Sequence, residues 1–329
     1  MSSPDRILVT GAGGFVGHYL LRALRSAFPS AFLVACARTH AVAEADQTLP
    51  LDLLSAVSIA DCLSTARPDA VVHLAAATFV PASFANPGLT WRINVDGTLC
   101  LAQALMRTMP EALLLYISST ETYGLAFQRG AALDEDSPFA PANPYAASKA
   151  AADIALGEMA LRGLRVLRMR TVNHTGAGQS DALVVPAFAR QLARIEAGLQ
   201  EPVLNVGALD RWRDFLDVRD VCEAYIAALR HGEDVAVETA FNIASGIPRR
   251  IGDILNSLIE RIGLDIEVRT DTARLRSTDV IKAVSDPRRA QSLLHWSPQI
   301  PWETTLDDVL ADWREREGRP QRVGSVSRG

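Results

Sequence analysis

The chain has 329 residues, of which 48% are hydrophobic and 22% charged, with a formal net charge of −5. That length allows two domains or one large α/β domain with an appended lobe, and the mild acidity argues against a nucleic-acid or polybasic membrane surface. Four scattered cysteines make no Cys-x-x-Cys pair and six histidines no His-x-x-x-His pair, so there is neither a disulfide framework nor a zinc signature.

The chain opens straight into an apolar stretch, with no signal peptide and no apolar run of about 18 residues, and a cytoplasmic protein is expected. Short, nearly continuous apolar runs at Arg6–Thr10, Ala31–Ala37, Ala70–Ala75, Ala112–Ser118 and Leu164–Arg170 have the pattern of parallel strands buried on both faces. Helical patterns lie between them at Gly14–Ala27, Ser55–Ala66, Thr90–Thr108 and Pro144–Arg162. Repeated strand–helix units predict an α/β, Rossmann-type doubly wound parallel sheet.

After Arg170 the rhythm loosens. Asn173–Ser180 reads as a Gly/polar loop, Val184–Gly198 and Asp220–His231 as helices, and Ala240–Ala244 as one more strand. Ile251–Ile262, Asp286–Leu294 and Glu303–Arg316 read as helical, and the polar Gln321–Gly329 as a frayed tail. The expected division is a dinucleotide-binding domain over 1–172, with 213–246 returning to it. A smaller C-terminal α/β substrate-binding lobe takes 173–212 and 247–320.

The first strand runs into Gly11-Ala12-Gly13-Gly14-Phe15-Val16-Gly17, where Gly11, Gly14 and Gly17 stand three apart. The chain must turn sharply, let its backbone approach a pyrophosphate and pack the new helix on the strand, and a missing side chain permits all three. A glycine cluster alone usually marks a plain turn. Following an N-terminal strand and opening an amphipathic helix, this one reads as a nucleotide cradle. An NAD site usually places an acid about 20 residues on, at the end of the second strand. Here Arg38 stands there, and no acid precedes Glu44. A guanidinium suits a 2′-phosphate, so NADP(H) is favoured over NAD(H), against the plainer reading of a solvated arginine. Asp52 and Leu53 suit the adenine edge, and Leu74, Ala75 and Ala76 are small or apolar residues at a strand end that allow close approach.

Tyr145 and Lys149 are four apart and share one helix face. A neighbouring ammonium is expected to lower the tyrosine pKa towards a useful range, and the lysine can also hold ribose hydroxyls. Ser119, at a strand end, supplies a hydroxyl to hold the same carbonyl oxygen. Tyr-x-x-x-Lys is a common accident on a helix surface. Here the chain has 33 basic residues, and only Lys149 and Lys282 are lysines. A planar guanidinium cannot imitate a compact ammonium, so a retained lysine at this position is informative.

These residues resemble the extended short-chain dehydrogenase/reductases. The matching landmarks are Thr10–Gly17, His73–Ala76, Ile93–Thr98 with Asn94, Ser118–Gly124 and Tyr145–Lys149. Further on, Arg170–Gln179, Val206–Asp220 and Ala273–Val280 are similar to the reductases of GDP-6-deoxy-4-keto-D-mannose. Ala177 and Ser277 replace prolines of that pattern, which removes no functional group.

The resemblance implies a catalytic set of Ser119, Tyr145 and Lys149, with Phe15, Val16, Asn94 and Val172 near the cofactor. It places Thr120 and Glu121 towards the sugar, Asn173 at the substrate diphosphate, and Arg213 and Arg276 on the nucleotide diphosphate with Asp279 nearby. It also implies a homodimer through Thr90–Thr108 and Pro144–Arg162, although burial against the chain's own core explains those helices equally well. The implied reaction is NADPH-dependent reduction of a GDP-linked 4-keto-6-deoxy sugar. A redox-neutral 4,6-dehydratase or 4-epimerase stays open through Glu121, since dehydratases use a glutamate there as a base. A non-enzymatic NADP-sensing protein is a third reading, disfavoured by the intact Tyr145/Lys149 pair.

Overall fold

The computed structural model describes residues 4–37, 41–232, 234–236, 239–271 and 280–318. The chain forms two compact units. One comprises Met1–His174, Arg213–Pro248 and Thr278–Gln299, the other Thr175–Trp212, Arg249–Ser277 and Ile300–Gly329.

The first unit contains β1 (Arg6–Thr10), α1 (Phe15–Ala27), β2 (Phe32–Cys36), β3 (Gln47–Leu49), α2 (Ala56–Ala66), β4 (Ala70–His73), α3 (Val80–Ala85) and α4 (Pro87–Trp91). A π-helical turn (Arg92–Gly97) leads into α5 (Thr98–Thr108), and β5 (Leu113–Ser119) into a 3₁₀ segment (Thr120–Arg129). Then follow α6 (Pro144–Leu161), β6 (Val166–Thr171) and β7 (Asn173–Thr175). After α7 (Val184–Glu196) and β8 (Val203–Val206) of the second unit, the chain returns through β9 (Trp212–Asp217), α8 (Val218–His231), β10 (Ala240–Ile243) and β11 (Pro248–Arg250). The second unit continues with α9 (Ile251–Ile262) and β12 (Glu267–Thr270), the first regains α10 (Arg288–Leu293), and α11 (Trp302–Gly318) completes the second.

Seven strands form one parallel sheet in the order β10-β6-β5-β4-β1-β2-β3. Successive side chains of a strand point to opposite faces, which explains the continuous apolar runs. Ile7 and Val9 of β1 join Leu20, Leu21 and Leu24 of α1 and Val221, Tyr225 and Leu229 of α8 in one core. Leu8 faces the other core, built with Ile59 and Leu63 of α2, Leu101 and Leu105 of α5, and Leu156 and Met159 of α6. The strand order reverses between β1 and β4, and in such sheets that crevice at the carboxyl ends is where ligands bind.

The fold class agrees with the sequence reading, and several elements differ from it. The helix expected over Thr90–Thr108 is broken by the π turn, as an extra residue widens the ladder at Asn94. The expected loop after Asn173 begins as β7. Strands β3, β8, β11 and β12 are too short to leave a periodic signature, and the 3₁₀ segment is kinked at Gly124. Residues 280–299 were expected in the smaller lobe and lie in the first unit. Ala290, Leu294 and Trp296 pack into its core, and Trp296 Nε1 donates to the Asp220 carbonyl at 3.0 Å.

In the second unit, α11 packs against α7, and α7 in turn against α9. Glu317 accepts hydrogen bonds from both Arg190 and Arg194 of α7 at 2.9 Å. No helix among the described residues is long and apolar enough to cross a membrane.

Candidate active site

The glycine turn sits at the reversal point of the sheet. Gly11 has φ +69°, and a Cβ on it would meet the Ala75 backbone nitrogen at 2.8 Å. A Cβ on Gly17 would overlap the Ala12 carbonyl. The β1–α1 turn is therefore flush with Leu74 and Ala75 at the end of β4. Gly14 occupies the N-cap of α1, where no side chain satisfies the first amides. A helix start with open amides and a positive dipole end is an anion site, so this cradle fits a dinucleotide pyrophosphate. Phe15 and Val16 are half-buried on its first turn. Leu53 is buried, and a Cβ on Gly97 would meet its Cβ at 2.8 Å. Asp52 is exposed, and its Oδ1 accepts from the Leu54 amide at 2.9 Å, which shapes the turn after β3. Arg38, the residue that favours a 2′-phosphate, lies outside the described residues.

His73 ends β4 fully buried. Its Nδ1 pairs with Thr10 Oγ1 at 2.7 Å and its Nε2 with Thr98 Oγ1 at 3.0 Å. Burial and then the nearby Lys149 charge pull its pKa down to about 3, so it is a neutral strut. Asn94, in the π turn, is also buried. Its Oδ1 accepts from the Ala77 amide at 2.7 Å, and its Nδ2 donates to the Ala77 carbonyl and to Ser148 Oγ. Ser148 Oγ in turn donates to the Tyr145 carbonyl at 2.7 Å. Asn94 thus ties the strand-end loop to α6.

Ser119, the last residue of β5, caps the 3₁₀ segment: its Oγ accepts from the Glu121 amide at 3.2 Å. Helix α6 starts with Asn143 as N-cap, its Oδ1 accepting from the Ala146 amide at 2.8 Å, and Pro144 at the first helical position. This places Tyr145 in the first turn, with its hydroxyl beside Ser119. Lys149, one turn on, donates from Nζ to the Ile117 carbonyl at 2.7 Å and lies 5.0 Å from the centroid of the Tyr116 ring. The structure therefore brings Ser119, Tyr145 and Lys149 together at the ends of β5 and α6. Thr120 is buried beside them, Glu121 is half-buried, and Glu121 Oε2 accepts from Asn143 Nδ2 at 3.0 Å.

The electrostatics correct one expectation. Tyr145 has its pKa raised, not lowered: burial is the main cause, the Glu121 charge adds to it, and only the Ser119 hydrogen bond opposes it. The Lys149 ammonium is turned to the Ile117 carbonyl, and burial pulls its own pKa down to about 7 against the attraction of Asp153. Tyr145 is a phenol held neutral, which is an acid loaded with its proton.

Val172 is buried at the end of β6, and Asn173 next to it is exposed. Arg213 is half-buried on β9, with Nη1 3.5 Å from the Ile281 carbonyl. Arg276 and Asp279 lie outside the described residues.

Sequence reasoning missed the scaffold under this corner. Asp153 of α6, fully buried, accepts from Arg170 Nε and Nη2 at 3.1 and 2.9 Å and from Arg168 Nη1 at 3.0 Å. Arg170 Nη1 also donates to the Tyr123 hydroxyl and the Glu135 carbonyl. The Tyr123 hydroxyl donates to Asn242 Oδ1 at 2.8 Å, and Asn242 N donates to Glu135 Oε1 at 2.7 Å. This network links α6, β6, β10 and the 3₁₀ segment. An Asn-Pro pair opening a helix was the one available signal for Asn143. The others look like ordinary surface charges in the sequence.

The family model described as GDP-mannose 4,6 dehydratase matches residues 8–309. The chain belongs to this family, within the extended short-chain dehydrogenase/reductases. GDP-6-deoxy-D-mannose reductase of Pseudomonas aeruginosa is 38% identical over 95% of this chain and 98% of its own length. GDP-6-deoxy-D-talose 4-dehydrogenase of Aggregatibacter actinomycetemcomitans is 28% identical over 88% of this chain and 91% of its own. A structure of RMD from Pseudomonas aeruginosa complexed with NADPH superposes with a TM-score of 0.81 at 34% identity, covering 94% of this chain and 99% of that one.

Proposed function

We propose that this chain reduces the C4 ketone of GDP-4-keto-6-deoxy-D-mannose with NADPH, giving GDP-D-rhamnose or its C4 epimer GDP-6-deoxy-D-talose. The observation that carries the reading is Tyr145: a half-buried phenol beside Ser119, its pKa raised, one helical turn from Lys149, in a chain 38% identical to a GDP-6-deoxy-D-mannose reductase. Reduction consumes a proton at oxygen, and a phenol with a raised pKa is the group to give it.

Gly11, Gly14, Phe15, Val16 and Gly17 would hold the pyrophosphate, and Asp52, Leu53, Leu74, Ala75 and Ala76 the adenosine side. Asn94 sets the neighbouring loop, Val172 bounds the nicotinamide, and Arg38 is the candidate for the 2′-phosphate, with NAD(H) as the weaker alternative. When bound, the reduced nicotinamide supplies hydride to the ketone carbon. Ser119 holds the ketone oxygen, and Tyr145 transfers its proton to that oxygen as negative charge grows there. Lys149 holds ribose hydroxyls, and the resulting phenolate regains a proton from solvent. Thr120 and Glu121 face the sugar, Asn173 approaches the substrate diphosphate, and Arg213 and Arg276 take the nucleotide diphosphate, whose charge suits guanidinium forks, with Asp279 nearby.

The test mixes the protein with NADPH and the 4-keto sugar and follows reduced-nicotinamide absorbance. Stoichiometric oxidation supports the reading. Turnover of GDP-mannose without net NADPH loss overturns it in favour of a 4,6-dehydratase, the second reading, which Glu121 beside Tyr145 keeps in play. Product NMR separates rhamnose from 6-deoxytalose. The same reading places the enzyme in the cytoplasm as a homodimer through α5 and α6. The exposed Ile154 and Leu161 on α6, at 60% and 81%, support an apolar partner surface, and sedimentation velocity checks it.

A further inference from the structure

Besides the bond from Lys149 to the Ile117 carbonyl, a side-chain hydrogen bond joins the two segments that carry the hydroxyls of Ser119 and Tyr145. Ser119 precedes Glu121 by two residues, and the Glu121 amide donates to Ser119 Oγ at 3.2 Å. Asn143 precedes Tyr145 by two residues and caps its helix through Oδ1. The other end of the Asn143 amide, Nδ2, donates to Glu121 Oε2 at 3.0 Å. One planar side chain therefore acts as helix cap on one side and carboxylate clamp on the other.

We propose that Asn143 is a positioning residue, whose clamp on Glu121 fixes the Ser119 turn against the start of α6 and so sets the two hydroxyls at one reacting oxygen. The inference rests on the reductase reading for its kinetic readout and on the fold alone for its structural one. It gives Glu121 a mechanical role: the carboxylate anchors a turn, where a dehydratase would need it free to take a proton.

The chemistry separates the two functions of Asn143. Asp and Ser are good N-caps, so Asn143→Asp and Asn143→Ser keep the acceptor for the Ala146 amide. An ionised Asp has no proton to donate, and a Ser side chain is one atom too short to cap the helix and reach Glu121 together. Both variants lose the clamp, and Asn143→Asp adds a like charge. In a Glu121→Gln background the polarity can reverse, because the new side-chain amide both accepts and donates. It accepts from the native Asn143, and it donates to the carboxylate that Asn143→Asp introduces, so the clamp survives in both cases.

A double-mutant cycle tests this. In the otherwise wild-type chain, Asn143→Asp is expected to lower kcat about tenfold with an unchanged KM for NADPH, about 1.4 kcal/mol. In the Glu121→Gln background it is expected to cost nothing further. Equal losses in both backgrounds would mean that Asn143 acts on substrate directly, and no loss in either would mean a plain cap; both overturn the proposal. Amide hydrogen exchange on the ligand-free protein supplies the second readout. The Glu121 amide should exchange faster in Asn143→Asp and Asn143→Ser, and the same backbone amide should return to the wild-type rate in the Glu121→Gln/Asn143→Asp pair. Unchanged exchange in both single variants refutes the clamp even if the wild type reduces no 4-keto sugar. Wild-type turnover with NADPH tests the reductase reading separately.

Discussion

The glycine cradle at the end of β1 and the proposed catalytic corner at the end of β5 and the start of α6 lie at the carboxyl ends of strands of one sheet, and they are held by different means. The cradle is backbone. Gly11 and Gly17 admit no Cβ, and Gly14 leaves the first amides of α1 without a cap. The corner is side chains: Asp153 between Arg168 and Arg170, Tyr123 on Asn242, Glu135 under Asn242, and Asn143 on Glu121. A ligand that is read by its phosphates needs only amides and space. A proton transferred between two oxygens needs hydroxyls fixed to a few tenths of an ångström, and buried polar networks supply that rigidity.

The comparison can be broken at four places. The largest effect is expected from Tyr145→Phe, which removes the acid and should lower kcat by about 10²- to 10⁴-fold with NADPH binding retained, measured by steady-state kinetics and fluorescence titration. Tight NADPH binding with near wild-type turnover would refute the assigned acid.

Next, Asp153→Ala leaves two arginines facing a buried gap. Breaking a buried pair in this way costs about 3–5 kcal/mol, read as a fall in the denaturation midpoint and accompanied by lost activity. An unaltered midpoint would show that the corner does not depend on its network.

In the cradle, Gly11→Ala puts a side chain at φ +69° and against Ala75. Strain and overpacking together are expected to cost about 2–4 kcal/mol, and NADPH affinity should fall more steeply than stability.

The smallest effect is in pH. His73 has its pKa pulled down to about 3 in the folded chain, against about 6.5 unfolded. Its contribution to stability is complete above pH ~6.5 and is lost as pH falls towards 3, because the unfolded state binds the proton more readily across that window. His73→Gln keeps hydrogen-bonding groups without a titrating ring, so the slope of Tm between pH 7 and 5 should flatten.

The sequence showed the cradle and the triad because both depend on local spacing. Three glycines at intervals of three open a helix wherever they follow a strand, and Tyr145 and Lys149 share a helix face by arithmetic. The alternating two-core sheet was equally legible, since strands buried on both faces must be continuously apolar. The pKa of Tyr145 was not, because it depends on burial and on Glu121, a residue 24 positions earlier that tertiary packing brings near. The Arg170–Asp153 contact was hidden for a similar reason: both residues are charged, and charged residues in a sequence look solvated until the fold encloses them.

The sequence by itself therefore determined the sheet, the glycine turn and the shared helix face of Tyr145 and Lys149, because periodicity and spacing are properties of neighbouring residues. Only the tertiary structure decided their state: that Tyr145 holds its proton, that Lys149 faces the Ile117 carbonyl, and that Asn143 links the two catalytic segments. Those are set by burial and by contacts between distant elements, and no local pattern encodes them.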